Sequence, residues 1–173
     1  MKKPEQKTIP AWLPVCALLV IVAALYWPAA SFDFTNYDDD EYVTENPFIQ
    51  RGFTFEMIRW SFATGHAANW HPLTWISHAI DWQFAGANPG LHHATNILLH
   101  AINAALLYIF LLRSTNARGP SFVVALLFAV HPFNIETVAW VSERKNVLST
   151  FFGLLSFIAY AGYTKNKKTS TYI

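Results

Sequence analysis

The sequence predicts an all-α membrane protein with about four transmembrane helices and short amphipathic helices in a large first external loop. Hydrophobic residues make up 53% of the 173 residues and charged residues only 13%, against roughly 25% charged residues in a soluble domain. The apolar residues also form long runs. A net charge of +1 without a basic stripe argues against a nucleic-acid partner. The single cysteine excludes an intramolecular disulfide and a cysteine-based zinc site.

The first predicted span covers residues 11–31, after a cytoplasmic N-terminus at residues 1–10. The span has no charged residue over about 20 positions, the length needed to cross the bilayer core. Its apolar core exceeds the roughly 7–15 residues of a signal peptide. The small residues at 29–31 resemble a cleavage site, but the length favours a retained helix whose N-terminus lies in the cytoplasm.

An external acidic loop at residues 32–90 contains eight of the eleven acids. Two stretches, Thr54–Phe62 and Pro72–Phe84, repeat apolar residues every three or four positions, which predicts amphipathic helices. Thr54 is suited to the N-cap and Pro72 to the first helical position. Tryptophans near a membrane are typical interfacial anchors, so we expect these helices to lie on the outer face of the bilayer. The tryptophans are Trp60, Trp70, Trp75 and Trp82.

Three further spans are predicted at residues 91–112, at 120–141 with a kink at Pro132, and at 147–163. A cytoplasmic tail follows at residues 164–173. Proline removes a backbone donor and so bends or restarts a helix. With the N-terminus inside, eight of the twelve basic residues lie on the cytoplasmic side, as the positive-inside rule requires.

Polar residues form a stripe on the second span, because His93, Asn96, His100 and Asn103 follow one another at steps of 3, 4 and 3. Ionisable groups in a span are costly and often functional. The structural interpretation is a hydrogen-bonded seam between helices. For His93 and its neighbour His92, next to the acidic loop, a role in a functional site and a structural role stay equally open. A metal site is a sharper alternative, but no HExxH pair accompanies these histidines.

The outer end of the third and fourth spans also contains charged groups. Glu136 can pair with Arg144 or line a cavity that opens outward. Arg144 can extend its head group towards water or hold a phosphate with its planar donor fork. Both alternatives stay open at the level of sequence.

The run Asp38–Glu41 places four acids a few residues after the first span. Most such runs are simply solvated. Close to lipid, however, like charges repel, and a cation would relieve them. That cation is either a divalent metal or an Arg or Lys side chain. A carboxylate held there can act as a general base towards a hydroxyl.

Four stretches resemble the N-terminal part of polytopic GT-C glycosyltransferases that carry tetratricopeptide repeats, the transmembrane-and-tetratricopeptide-repeat O-mannosyltransferases and their bacterial relatives. The stretches are Tyr37–Pro47, Asn69–Asp81, Leu91–Tyr108 and Leu127–Leu155. The resemblance implies a fold of many membrane helices, an acidic catalytic motif in the first loop and a bacterial inner-membrane location. It also implies a polyprenyl-phosphate sugar donor and, in the eukaryotic members, a protein hydroxyl as acceptor.

Transferred position by position, the resemblance assigns catalysis to Asp38 and Asp39. No cofactor is assigned, although a divalent metal stays possible. The positions expected to bind donor or substrate are Asp40, His71, His93, Asn96, His131, Glu136, Arg144 and Lys145.

The predicted function is therefore sugar transfer from a lipid-linked donor to an acceptor protein or glycan, among membrane lipids and on the extracytoplasmic side. Asp38 or Asp39 is the expected base, and Arg144 with Lys145 the expected phosphate site. The alternatives are a non-catalytic membrane scaffold, whose polar stripe binds other helices, and a transporter fragment with His100 and Glu136 in an ion path. Because the family's chains are several times longer, we expect a fragment, a truncated product or a split subunit.

Overall fold

The computed structural model describes residue 10 and residues 12–166. In this part of the chain all regular structure is helical, which confirms the all-α prediction. Three helical stretches are long and apolar enough to cross a membrane, namely Trp12–Ser31, Pro89–Thr115 and Val141–Lys165. The lysines predicted to precede the first span, and residues 167–173 of the predicted tail, lie outside the described residues.

The first of these stretches consists of helix α1 (Trp12–Tyr26) and a 3-10 turn (Trp27–Ser31). Leu18, Val22 and Tyr26 are buried at intervals of four residues, so one face of α1 packs inward. Most of its other side chains are apolar and exposed. A helix that is apolar all round is typical of a membrane span.

Residues 32–88 fold into short helical pieces that join the first span to the second. These are Asp40–Thr44, Ile49–Arg51, α2 (Phe55–Ala63), His66–Ala68 and α3 (Pro72–Ala85). The Thr54 hydroxyl caps α2 by accepting a hydrogen bond from the Met57 N–H at 3.2 Å, and Pro72 opens α3. A small separate core holds these pieces together; its buried members are Tyr42, Val43, Ile49, Met57, Trp75, Ala79 and Val141.

Helix α4 (Pro89–Thr115) is the centre of the molecule and packs against α1, α5 and α7. Its 27 residues span about 40 Å at 1.5 Å per residue. Ala101, Ala104 and Ala105 are buried, and such small residues let neighbouring backbones approach closely.

The third predicted span is not one kinked helix. Helix α5 (Arg118–Val130) has 13 residues and is followed by a turn and by the short helix α6 (Asn134–Ala139). Proline disfavours helical geometry at the residue before it, and His131 is indeed extended, with φ −67° and ψ 131°. The Asn134 amide donates to the freed Phe128 carbonyl at 2.7 Å. Alone, α5 is about 20 Å long, shorter than the roughly 30 Å bilayer core.

The last apolar stretch is longer than the predicted residues 147–163. A 3-10 turn (Val141–Glu143) leads directly into helix α7 (Arg144–Asn166). The charged residues at 143–145 made this part look like a connecting loop. They belong to the helical stretch because Arg144 is buried and paired inside the protein, as described below.

Candidate functional site

The candidate site lies where the 32–88 segment meets the start of α4 and the α6–α7 turn. Asp39 joins two of these parts and is fully buried. One carboxylate oxygen accepts from the Thr35 N–H at 2.8 Å and the Thr35 hydroxyl at 3.1 Å. The other accepts from the Ser142 N–H at 2.9 Å and from the Ser142 hydroxyl. Asp39 is therefore bonded to a residue 103 positions further along the chain, and both of its carboxylate oxygens accept hydrogen bonds.

Its neighbour Asp38 is in a different position. Its side chain is half-buried, and no hydrogen bond to its carboxylate occurs among the described residues. Asp38 lies close enough to Tyr42 to affect its ionisation: burial, followed by the negative charge of Asp38, raises the pKa of the Tyr42 phenol to about 12. Asp40 accepts a hydrogen bond from the Glu41 N–H at 2.8 Å. The Asp38 carboxylate is thus free to meet a ligand, whereas both oxygens of Asp39 are occupied.

Arg144 is fully buried at the start of α7. Its guanidinium lies 2.7 Å from the Asp81 carboxylate and donates to the Ser77 hydroxyl and the His92 carbonyl, each at 2.7 Å. Its Nε–H donates to the Asn96 side-chain oxygen. Four of the five donors that an arginine has are therefore bound within the chain, and Arg144 ties α7 to α3 and α4. The ion pair with Glu136, considered above, is not formed.

The polar stripe on α4 faces other parts of the same chain. The Asn96 amide donates to the Trp140 carbonyl at 2.9 Å, and the Asn103 amide to the Val147 carbonyl at 2.8 Å. The His100 ring nitrogen lies 3.0 Å from the Ala129 carbonyl. The stripe thus forms the hydrogen-bonded seam of the structural interpretation, and these three side chains are not available to a separate helix.

His93 is the exception on this stripe. It is buried, and its ring lies near the backbone carbonyls of Asp33 and Ala139, although within the described residues neither ring nitrogen makes a well-aligned hydrogen bond. Its ring lies 6.3 Å from that of Phe32, measured between centroids. His93 therefore lies beside the segment that contains Asp38 and Asp39.

A groove of about 410 Å³ opens between the start of α3 and the start of α7. We call it the α3–α7 groove. Most of its wall is apolar, but Lys145 and His71 add a cation and a polar ring. The residues that line it are Phe62, Trp70, His71, Pro72, Leu73, Thr74, Lys145, Leu148, Ser149 and Phe152.

Tyr42 connects this groove to Asp38. The Lys145 ammonium lies 5.3 Å from the centroid of the Tyr42 ring and 2.8 Å from the Glu143 carboxylate. The His71 and Tyr42 ring centroids are 5.4 Å apart. The buried Nε2 of His71 has no hydrogen-bond partner in the described part of the chain. Burial, and then the charge of Lys145, lowers the pKa of His71 to about 4, so this ring is neutral at pH 7.

Two predicted site residues lie elsewhere. His131 is exposed in the α5–α6 turn and accepts a hydrogen bond from the Phe133 N–H at 3.3 Å. Glu136 is exposed on α6. Neither lines the α3–α7 groove.

Sequence reasoning did not single out Asp81 and Ser142, the partners of Arg144 and Asp39. Asp81 was counted among the loop acids. Asp81 lies beside the apolar stripe of Leu73, Ile80 and Phe84 on α3, so its position on the helix does not mark it as buried. The structure buries the side of α3 that contains Trp75, His78 and Asp81 and leaves the apolar stripe exposed.

Comparison with known proteins gives one consistent set of relatives. Human protein O-mannosyl-transferase TMTC1 is 34% identical over 136 residues, which is 72% of this chain. Mouse TMTC1 is 30% identical over 92% of the chain, and human TMTC4 is 32% identical over 91% of it. The chain is a homologue of the TMTC protein O-mannosyl-transferases. No protein-family model matches it, and no solved structure matches it significantly.

The chain is much shorter than these TMTC relatives. The matched region is 15% of human TMTC1, 18% of mouse TMTC1 and 24% of human TMTC4. The homology confirms the resemblance seen in the motifs and agrees with a multi-pass membrane protein.

Proposed function

We propose that this chain forms the first-loop part of a membrane glycosyltransferase. In this proposal the enzyme moves a sugar, mannose by analogy with the names of the TMTC relatives, from a polyprenyl phosphate to a protein hydroxyl on the extracytoplasmic side. The observation that supports it most is the meeting of an apolar groove, a cation and a free carboxylate around Tyr42.

The α3–α7 groove suits an amphiphilic donor. Its apolar walls provide a surface for an isoprenoid chain. At its polar end Lys145 offers an ammonium and His71 a free ring nitrogen. The N-terminus of α3 borders the same end, and helix N-termini attract anions through their partial positive charge. We place the donor phosphate there, with Lys145 as its main partner.

Asp38 is the proposed general base. The acceptor oxygen attacks the anomeric carbon while the bond from that carbon to the phosphate oxygen breaks, and the hydroxyl proton passes to Asp38. The phosphate leaves as the lipid phosphate, and one displacement inverts the anomeric centre. Asp39 orients the acidic segment, since its oxygens are already bonded. General-base help is typically worth about 10²–10⁴-fold in rate.

The remaining predicted residues have supporting roles in this proposal. Arg144 was predicted as the phosphate clamp; we assign it to positioning instead, because its donors hold α3, α4 and α7 together. Asn96 supports Arg144 in this task. Contacts of substrate with Asp40, His93, His131 and Glu136 stay predictions that rest on the family resemblance.

We test the base by assaying membranes that contain the protein with a labelled polyprenyl-phosphate mannose and scoring label in protein. Asp38→Asn removes the base without changing the size of the side chain, so we expect transfer to fall by about 10²–10⁴-fold. Asp33→Asn, an exposed acid in the same segment, is the matched control and should leave the rate unchanged. Transfer at the normal rate by Asp38→Asn would refute the assignment.

A further inference from the structure

A buried cluster of two histidines and a carboxylate lies outside the groove. His78 and Asp81 are three residues apart on α3 and share one face of that helix, and His92 approaches from the start of α4. All three are buried. Each offers an atom that lies within 4.8 Å of the atoms offered by the other two, and the His92 Nδ1 is 3.7 Å from an Asp81 carboxylate oxygen.

The polar atoms of this cluster lack enough partners of their own. Among the residues that the structure describes, neither ring nitrogen of the fully buried His78 has a hydrogen-bond partner, and the same holds for the His92 Nδ1. Buried polar atoms are nearly always paired. An imidazole nitrogen with a free lone pair is a metal ligand.

The surrounding contacts hold the ligands in place. The His92 Nε2 lies 3.2 Å from the Gly86 carbonyl, and a bond to a backbone carbonyl orients the other nitrogen of many metal-binding histidines. Thr95 donates to one Asp81 oxygen at 2.9 Å, and Arg144 lies 2.7 Å from the other. A carboxylate has about four lone-pair sites, so Asp81 can still bind an ion.

We propose that His78, Asp81 and His92 bind a zinc ion that clamps helix α3 to α4. Two imidazoles and one carboxylate are a donor set that zinc accepts readily. Donor atoms of a tetrahedral zinc site lie about 3.3 Å apart, so small side-chain shifts close the cluster around the ion. Burial of all three residues shields the ion from solvent, and three protein ligands leave its fourth position for a water. The site lies apart from the groove proposed to bind the sugar donor.

The direct test is the zinc content of the full chain, purified in detergent, supplied with zinc chloride and then dialysed against metal-free buffer. We expect about one zinc per chain and a rise in Tm of roughly 5–10 °C with saturating zinc. His78→Gln should abolish both effects. His100→Gln, which removes another buried histidine of α4 outside the cluster, should retain the zinc.

Absence of bound zinc and of a zinc-dependent Tm in the unsubstituted chain would overturn the proposal, as would zinc that persists in His78→Gln. If His78→Gln does not fold, cobalt replaces zinc in the unsubstituted chain. The intense visible absorption of tetrahedral cobalt would support the site, and the weak bands of octahedral cobalt would contradict it.

Discussion

Asp38 and Asp39 are adjacent in the chain, but their carboxylates have different surroundings. Asp39 is buried and accepts four hydrogen bonds, whereas Asp38 is half-buried beside Tyr42. A base must be able to accept a proton from the substrate, so the free carboxylate is better suited to that task. The run of acids gave no means to separate the two, because their difference arises from Thr35 and Ser142.

Lys145 provides the test of donor binding at the residue scale. A charge-assisted bond to a phosphate is worth about 1.5–3 kcal/mol, so Lys145→Gln should raise the KM for the polyprenyl-phosphate donor by roughly 10–150-fold. We expect a smaller effect on kcat, because the ammonium is proposed to bind the phosphate in the ground state as well. Steady-state kinetics against donor concentration measures both quantities.

The control for Lys145→Gln is Lys165→Gln at the other end of α7, where Lys165 contacts the Arg113 carbonyl. This variant should keep the KM of the unsubstituted protein. An unchanged KM for the donor in Lys145→Gln would contradict the placement of the donor phosphate in the α3–α7 groove.

Individual elements differ in how well the sequence predicts them. Thr54 and Pro72 mark the starts of α2 and α3, because caps and prolines act on the nearest turn alone. The pairing of Arg144 with Asp81 was not predictable, since it depends on how α3 and α7 meet. An arginine at the end of a helix is normally exposed to water. The burial of Arg144 becomes favourable only because tertiary packing brings Asp81 to it.

The same reasoning explains the third predicted span. Apolar residues continue past Val130, whereas Pro132 indicates a break in the helix. Whether a helix bends or stops at a proline depends on what satisfies the freed carbonyls. Here the Asn134 side chain does so at the Phe128 carbonyl, and the chain begins a new helix.

On helix α4, substitution should destabilise the protein most at Asn96, the side chain of the seam that bonds to the charged Arg144. Asn96→Leu leaves the Arg144 Nε–H without its partner and removes one of the two hydrogen bonds to the Trp140 carbonyl, so we expect a loss of about 2–4 kcal/mol in the free energy of unfolding. His100→Leu leaves only the Ala129 carbonyl and should cost about 1 kcal/mol. Unfolding in mixed detergent micelles measures both variants.

Leu98→Ala is the control on the same helix, because Leu98 is exposed and packs against nothing in the core. Its effect should stay within about 0.5 kcal/mol. Equal losses for Asn96→Leu and His100→Leu would contradict the role given to Arg144 as the centre of the seam.

At the scale of the whole molecule, the helices alternate in direction. The end of α1 meets α4 at the Tyr26 and His100 rings, 5.3 Å apart, while Lys165 at the end of α7 contacts Arg113 at the end of α4. The α4–α5 turn and the end of α7 therefore share one end of the bundle. The acidic segment lies at the other end, through the bonds of Asp39 to Ser142.

Residues 32–88 contain most of the acids, whereas the basic residues Arg113 and Lys165 lie at the opposite end of the bundle. Because basic residues are retained inside, we predict that residues 32–88 face the extracytoplasmic side and that the α4–α5 turn faces the cytoplasm. In a Cys16→Ser background, which removes the single native thiol, Asp33→Cys and Asn116→Cys each place one thiol at an exposed position. A membrane-impermeant maleimide should label position 33 in intact cells and position 116 only after the membrane is opened. The reverse pattern would place Asp38 in the cytoplasm and exclude sugar transfer to an exported acceptor.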